Sequence, residues 1–312
     1  MNDFLLVQMV SAERLKSGHE LKVPVLSELK NSLAGVSGEQ RTATLLTREL
    51  DLSGDFVLLS DVTIPYKDSS VQIDLLVIHA NFVCVLEVKN MIGDFYFDSV
   101  NYQFHRVIDG RREGMRNPEA QVHRAVKAVN GFLGVPVQGV IVLTSRSSKV
   151  VDAPKLYPVV SLDYLPFHLE KMVEGSPHFD VAKLANKLKK LPPQEISKSW
   201  LARHQISFDS LRLGVTCPTC RTCSLIWRDR KWHCEICGFH SRDAHEVTLQ
   251  EYAVLFGSEL DTRFAYRLLG VENKYVLYRL LEKSAPKSRI RGKRQIIESR
   301  ELLREYFSRI YR

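Results

Sequence analysis

Three charged residues stand where the chain is otherwise built for a core. Two apolar, β-branched runs, 71–78 and 82–90, flank a break at His79-Ala80-Asn81 and read as a strand hairpin. The first run carries one acid, Asp74, and the second carries Glu87 and Lys89. Alternation along a strand puts Glu87 and Lys89 on one side. Burying an unpaired charge is costly, so such groups call for a metal or a partner. An aspartate with Glu-x-Lys on the next strand can hold Mg²⁺ between two carboxylates while the lysine steers or polarises an attacking water. The chemistry would be metal-assisted phosphodiester hydrolysis. The spacing alone is not distinctive, because Glu20/Lys22 and Glu28/Lys30 repeat it in a polar, helix-like leader with no acid on a nearby strand. The plainer alternative for Glu87/Lys89 is a structural ion pair at a sheet edge.

A second constellation is built on sulfur. Cys217-Pro218-Thr219-Cys220 and Cys234-Glu235-Ile236-Cys237-Gly238 are two Cys-x-x-Cys knuckles separated by thirteen residues. Each sets two thiolates on one tight turn, and four together satisfy tetrahedral Zn²⁺. Residues 225–233 between them read as a hairpin, which makes a zinc ribbon. Cys223 offers an alternative first knuckle with Cys220, though the proline at 218 favours the pair 217 and 220. His233, His240 and His245 are ligands only if a thiolate fails, and Cys84 reads as a buried, inert side chain. A ribbon of this size has little apolar core of its own, so its ion is expected to be structural.

The third feature is charge. The chain of 312 residues has a formal net charge of +8, and residues 283–312 hold ten basic side chains against three acids. That concentration points to a polyanion, most simply nucleic acid, with a solvated basic tail as the alternative. Helices over 261–269 and 272–283, joined at Gly270-Val271, resemble a helix-turn-helix, although Tyr266 falls where a small residue is usual. In that reading Lys274, Tyr275 and Arg279 face DNA. Lys287, Arg289, Arg291, Lys293 and Arg294 form a basic wing against phosphates. A plain helical bundle with a basic face is the alternative. No apolar stretch is long enough for a membrane span, and the short run 4–10 has no basic region before it. A cytoplasmic protein is expected, with its six cysteines used for metal or left as free thiols.

These groups need elements to hold them. Residues 1–35 read as a helical leader broken around Pro24. A helix from Val36-Ser37-Gly38-Glu39 to about Leu50 would place Glu39 in a first turn, where an acid favours the helix dipole. Strands are expected at 56–60, in the hairpin, at 92–97 and 103–108, and at 137–144, with Asp109-Gly110 as a tight turn. Asn117-Pro118 opens a helix carrying Ala120, Val122, Ala125, Val126 and Val129, and 159–173 gives a last strand and helix. This order makes an α/β core. The expected organisation is a leader over 1–35, an α/β domain over 36–174, a linker with a lysine-rich helix over 175–210, a zinc ribbon over 211–245 and a helical basic domain over 246–312.

With those residues in hand, the chain resembles the nuclease-related domain family, NERD, and through it the PD-(D/E)xK nuclease superfamily. The matching pieces are Gly38-Glu39, Gln72-Ile73-Asp74, Val85-Leu86-Glu87-Val88-Lys89-Asn90 followed by Gly93, and Asn117-Pro118-x-x-Gln121. The likeness covers about 36–170 and implies a restriction-endonuclease-like mixed sheet flanked by helices. It implies that Asp74 and Glu87 ligate Mg²⁺ and that Lys89 orients water or stabilises charge on the phosphate. Glu39 would add a further carboxylate and Gln121 a polar group near the site. Where the superfamily has Pro-Asp this chain has Ile73-Asp74, which removes a marker but no ligand. Two classes of function follow: a Mg²⁺-dependent nuclease acting on DNA, or a nucleic-acid-binding adaptor or regulator built on a nuclease-like scaffold. A transcription regulator led by the helix-turn-helix is a third.

Overall fold

The computed structural model describes residues 3–50, 52, 55–174, 178–191, 196–222, 225–296 and 300–311, with side chains 196–199 left aside. The chain falls into two compact units, residues 32–194 and residues 1–31 with 195–312.

Two helices open the chain, α1 (Asp3–Arg14) and α2 (Lys22–Glu49), and the division between the units falls within α2. Helix α2 is continuous where the sequence suggested a break at Pro24 and a new start near Val36. Pro24 lies in its first turn, where backbone N–H groups have no intrahelical acceptor, so the missing donor costs nothing. Glu39 consequently sits in mid-helix, and the first-turn dipole role does not apply.

Residues 32–194 are built on a five-stranded mixed sheet. It contains β1 (Phe56–Tyr66), β2 (Ser69–His79) and β3 (Val83–Lys89), which pair antiparallel in sequence order. A second sheet takes β4 (Gly93–Phe97), β5 (Phe104–Ile108) and β6 (Arg111–Met115). Helix α3 (Pro118–Leu133) follows; the Asn117 side chain accepts from Glu119 N, Pro118 opens the first turn, and Gly134 closes the helix in the left-handed conformation. The chain then re-enters the first sheet as β7 (Gln138–Leu143), joins the second as β8 (Ser148–Asp152), and returns as β9 (Val159–Ser161). Strands β3, β7 and β9 run parallel, so their carboxyl ends gather at Lys89, Leu143 and Ser161. Helices α4 (Leu165–Glu170) and α5 (Val181–Lys189) complete the unit. Val83, Val85 and Ile78 pack against α3 and α5 on one face. Leu75, Cys84, Leu86 and Val88 pack against Leu46 of α2 and Leu165 of α4 on the other. The result is a mixed sheet flanked by helices, as the sequence led one to expect.

The other unit joins α1 and the first turns of α2 to α6 (Ile196–Arg203), a three-stranded ribbon of β10 (Leu225–Arg228), β11 (Lys231–Cys234) and β12 (His240–Ser241), and a helical part. The latter comprises α7 (His245–Phe256), β13 (Glu259–Asp261), α8 (Thr262–Leu269), α9 (Lys274–Ser284), β14 (Lys293–Gln295) and α10 (Glu301–Ile310). The ribbon and the helices share one core: Cys217, Leu225, Trp232 and Cys234 are buried with Leu249, Leu268, Leu277 and Leu281. Arg14 of α1 and Glu251 of α7 form a buried ion pair in the same unit. Among the described residues no helix is long and apolar enough to cross a membrane.

Candidate functional site

The register of the hairpin decides where its charges meet. The last β2–β3 pair is Leu75↔Leu86, so the next step sets Asp74 against Glu87. Asp74 Oδ2 accepts from Val88 N at 2.8 Å, and Lys89 Nζ lies 2.6 Å from Glu87 Oε1. Glu87 is 6% exposed, whereas Asp74, Lys89 and Glu39 are partly exposed. Asp74, Glu87 and Lys89 are therefore brought together at the end of a buried hairpin, and Glu39 joins them electrostatically. Burial and then the charges of Asp61 and Glu87 push the Glu39 carboxyl up to about 7, against the pull of Lys89. Asp74 is raised well above the usual carboxylate range by burial, then by Glu87 and Glu39, despite Lys89 and the Val88 N–H.

Asp61 belongs to the same group and was missed in the sequence. The β1–β2 ladder is continuous from Phe56↔His79 to Tyr66↔Ser69 except at the step that would pair Asp61 with Asp74. There Asp61 takes φ 54°, a left-handed conformation that aspartate tolerates better than most residues. Gln72 Nε2 donates to Asp61 Oδ1 at 2.7 Å. Ser60 and Thr63 around it give it the look of ordinary surface, so no signal in the sequence marked it. Gln121 lies on α3, partly buried, and among the described residues its side chain makes no hydrogen bond to the carboxylates.

The approach of α2 explains Gly38. A Cβ there would stand 2.8 Å from Asn90 Cβ and 3.2 Å from Thr144 Oγ1, so only glycine lets the helix press this close to the ends of β3 and β7. That packing is what brings Glu39 to the hairpin.

Asp74, Glu87 and Glu39 around Lys89, with Asp61 acting on Glu39, form a donor set suited to a hard divalent cation. Burial raises Glu39 and Asp74 first and mutual repulsion adds to it, and such an ion would relieve the repulsion. The carboxylates do not close on one point: Glu87 is held by Lys89 and Asp74 by the Val88 N–H. Among the described residues, the group whose three or more ligand atoms all lie within 4.8 Å of one another is Cys217, Cys220, Cys234 and Cys237. There Cys217 Sγ is 3.5 Å from Cys237 Sγ and Cys220 Sγ is 3.4 Å from Cys234 Sγ. Tetrahedral Zn–S bonds of about 2.3 Å imply sulfurs about 3.8 Å apart, which these thiols meet with a small adjustment. Desolvation opposes the Cys234 thiolate, yet the backbone N–H groups of Cys237 and Ile236 bring its pKa down to about 6. The hairpin between the knuckles turns at Asp229 and Arg230, both at positive φ, as a two-residue loop requires. His245 is buried; its Nδ1 accepts from Trp232 Nε1 and its Nε2 faces Leu280 O at 3.0 Å, so both nitrogens are engaged away from the thiols. Cys223 lies outside the described residues.

The basic residues separate into two groups. Lys274, Tyr275 and Arg279 are exposed on α9, with Tyr275 80% accessible. Lys287, Arg289 and Arg291 are exposed on a hairpin-like loop closed by the Lys287↔Arg294 bridge. Lys293 and Arg294 do not share that exposure. Lys293 pairs with Glu259 at 3.1 Å, and Arg294 is buried, its guanidinium 4.8 Å from the centre of the Tyr278 ring. The pairing of β14 with β13 turns Arg294 inward. Helices α8 and α9 meet at Gly270, and Tyr266 packs partly buried against the shared core.

No curated protein and no solved structure matches this chain. The family model of the nuclease-related domain, NERD, matches residues 34–144, the stretch holding Glu39, Asp61, Asp74, Glu87, Lys89 and Gln121.

Proposed function

We propose that this protein is a Mg²⁺-dependent nuclease that hydrolyses phosphodiester bonds in DNA. The observation that carries the reading is the meeting of Asp74, Glu87 and Glu39 around Lys89 within a nuclease-related domain. Asp74 and Glu87 would hold Mg²⁺, which when bound supplies Lewis acidity toward a phosphoryl oxygen and lowers the pKa of its water. Lys89 would hold a non-bridging oxygen or orient the attacking water with its ammonium. Glu39 titrates near neutrality and is suited to keep or release a proton beside them. Gln121 would offer substrate a polar group from α3. In the other unit the four cysteines would hold Zn²⁺ as a structural ion. The exposed Lys274, Tyr275, Arg279, Lys287, Arg289 and Arg291 would contact phosphates. Thiols kept for metal suit a reducing, cytoplasmic setting.

A second reading, a nucleic-acid-binding adaptor, draws on the Glu87–Lys89 ion pair, in which each group is already engaged by the other. A screen of the purified chain on linear duplex, circular and single-stranded DNA and on RNA, with Mg²⁺ and with EDTA, separates the two. Mg²⁺-dependent cutting of DNA is expected. Binding without cutting on every substrate would favour the adaptor.

A further inference from the structure

Beside the carboxylates lies a cleft of about 440 Å³ lined by the polar residues Arg41, Asn90, Thr144, Ser145, Arg146, Ser161 and Asp163, together with Leu143 and Leu162. Apart from Arg41, these residues end or directly follow the parallel strands β3, β7 and β9. That is the place where parallel sheets take ligands, because the carboxyl ends of adjacent strands open a crevice there. Its polar groups are organised before any ligand arrives. Arg41 Nη2 donates to Asn90 Oδ1 at 2.7 Å and to Thr144 Oγ1 at 3.3 Å, and Thr144 Oγ1 donates to the same Asn90 oxygen at 3.0 Å. Asn90 Nδ2 is fixed in turn by Ala34 O at 2.8 Å. These bonds occupy one nitrogen of the Arg41 guanidinium. Its Nε and Nη1 make no hydrogen bond among the described residues. Arg146 is 89% exposed and among the described residues meets only the exposed Asp163, at 3.3 Å. Exposed pairs of that kind are weak and exchange readily for a better acceptor. Two guanidiniums with hydroxyls between them match the oxygens of a phosphate, which arginine binds in forked geometry.

The cleft and the carboxylates are joined through the chain. Lys89 belongs to one and Asn90 to the other, and on α2 the same holds for Glu39 and Arg41. Helical spacing puts Glu39 and Arg41 on the two flanks of Gly38, the residue that touches the sheet. We infer that this cleft holds a backbone phosphate of the substrate strand next to the bond that is cut, with Arg41 and Arg146 as positioning residues. The inference rests on the nuclease reading for the words "next to the bond that is cut", but not for phosphate binding.

The test uses the full chain and a short fluorescent DNA, measured by anisotropy in EDTA and by cleavage in Mg²⁺. Arg41→Ala and Arg146→Ala should each weaken binding about tenfold, reduce the salt slope by about one and raise KM more than they lower kcat. Arg146→Ala touches nothing buried, so its result stands even if Arg41→Ala disturbs Asn90. Replacing single phosphates near the cut by neutral methylphosphonates should weaken binding to the natural chain, while one such replacement costs Arg146→Ala nothing further. Unchanged affinity, slope and KM in both variants, with cleavage intact in the natural chain, would overturn the cleft and leave the nuclease reading standing. Weakened binding by a chain that never cuts would do the reverse. If the variants lose competition by inorganic phosphate yet bind DNA normally, the cleft serves a free anion and the inference fails.

Discussion

At the scale of single residues the site is a problem of like charges. Glu39, Asp74 and Glu87 share one lysine, with Asp61 acting on Glu39, and burial together with the neighbouring carboxylates raises the pKa of Glu39 and Asp74. A carboxyl whose pKa is higher in the folded state than in the unfolded chain favours folding at low pH and loses that contribution as pH rises. Without divalent cation, stability should therefore decline between about pH 4.5 and about 7, the ordinary and folded-state values for Glu39. Glu39→Gln should flatten that part of the profile, as followed by urea denaturation at successive pH values. A wild-type profile that rises through this window would contradict the carboxylate cluster. Asp74, Glu87 and Lys89 were legible in the sequence because each interrupts an apolar strand. Asp61 was not, since Ser60 and Thr63 make its surroundings look like ordinary surface. Nor was Arg294, which reads as one more cation in a basic run and turns inward only because β14 pairs with β13.

At the scale of elements, α2 is the part that sequence patterning described least well. Its apolar positions are sparse and Pro24, Gly35 and Gly38 all suggest interruption. Packing against the sheet through Leu46 and Thr42 outweighs those local preferences. The two glycines separate propensity from fit. At Gly35 an added Cβ meets nothing within 4 Å, and Gly35→Ala should stabilise by up to about 1 kcal/mol through helix propensity. At Gly38 the same methyl runs into Asn90, so Gly38→Ala should destabilise by about 1–3 kcal/mol. Chemical denaturation of the pair checks this; equal and favourable shifts would mean that α2 does not press on the ends of β3 and β7. The hairpin, α3 with its Asn117 cap and the ribbon strands were all readable, because alternation, caps and Cys-x-x-Cys turns are local signals. The second sheet was only half readable: β6 is mostly polar and exposed, and β8 pairs with β4 across more than fifty residues of chain.

At the scale of the molecule, the ribbon is not a free appendage. Cys217, Trp232 and Cys234 belong to the same core as the helices that follow. If the four thiols hold zinc as proposed, its removal should therefore loosen α7 to α9 together with the ribbon. All three tryptophans, Trp200, Trp227 and Trp232, lie in that unit and none in residues 32–194. Their fluorescence reports on it alone. A strong zinc chelator should shift the emission to the red and raise protease sensitivity in 211–296. Unchanged emission after proven metal loss would show that the core holds without the ion. The central claim lies in the other unit, in the three charges on the hairpin, and one measurement reaches it most directly. Cleavage of DNA in Mg²⁺ should fall at least about a hundredfold for both Asp74→Ala and Lys89→Ala, with binding in EDTA kept near that of the natural chain. Cleavage persisting at the natural rate in both variants would mean that these residues do not carry the reaction.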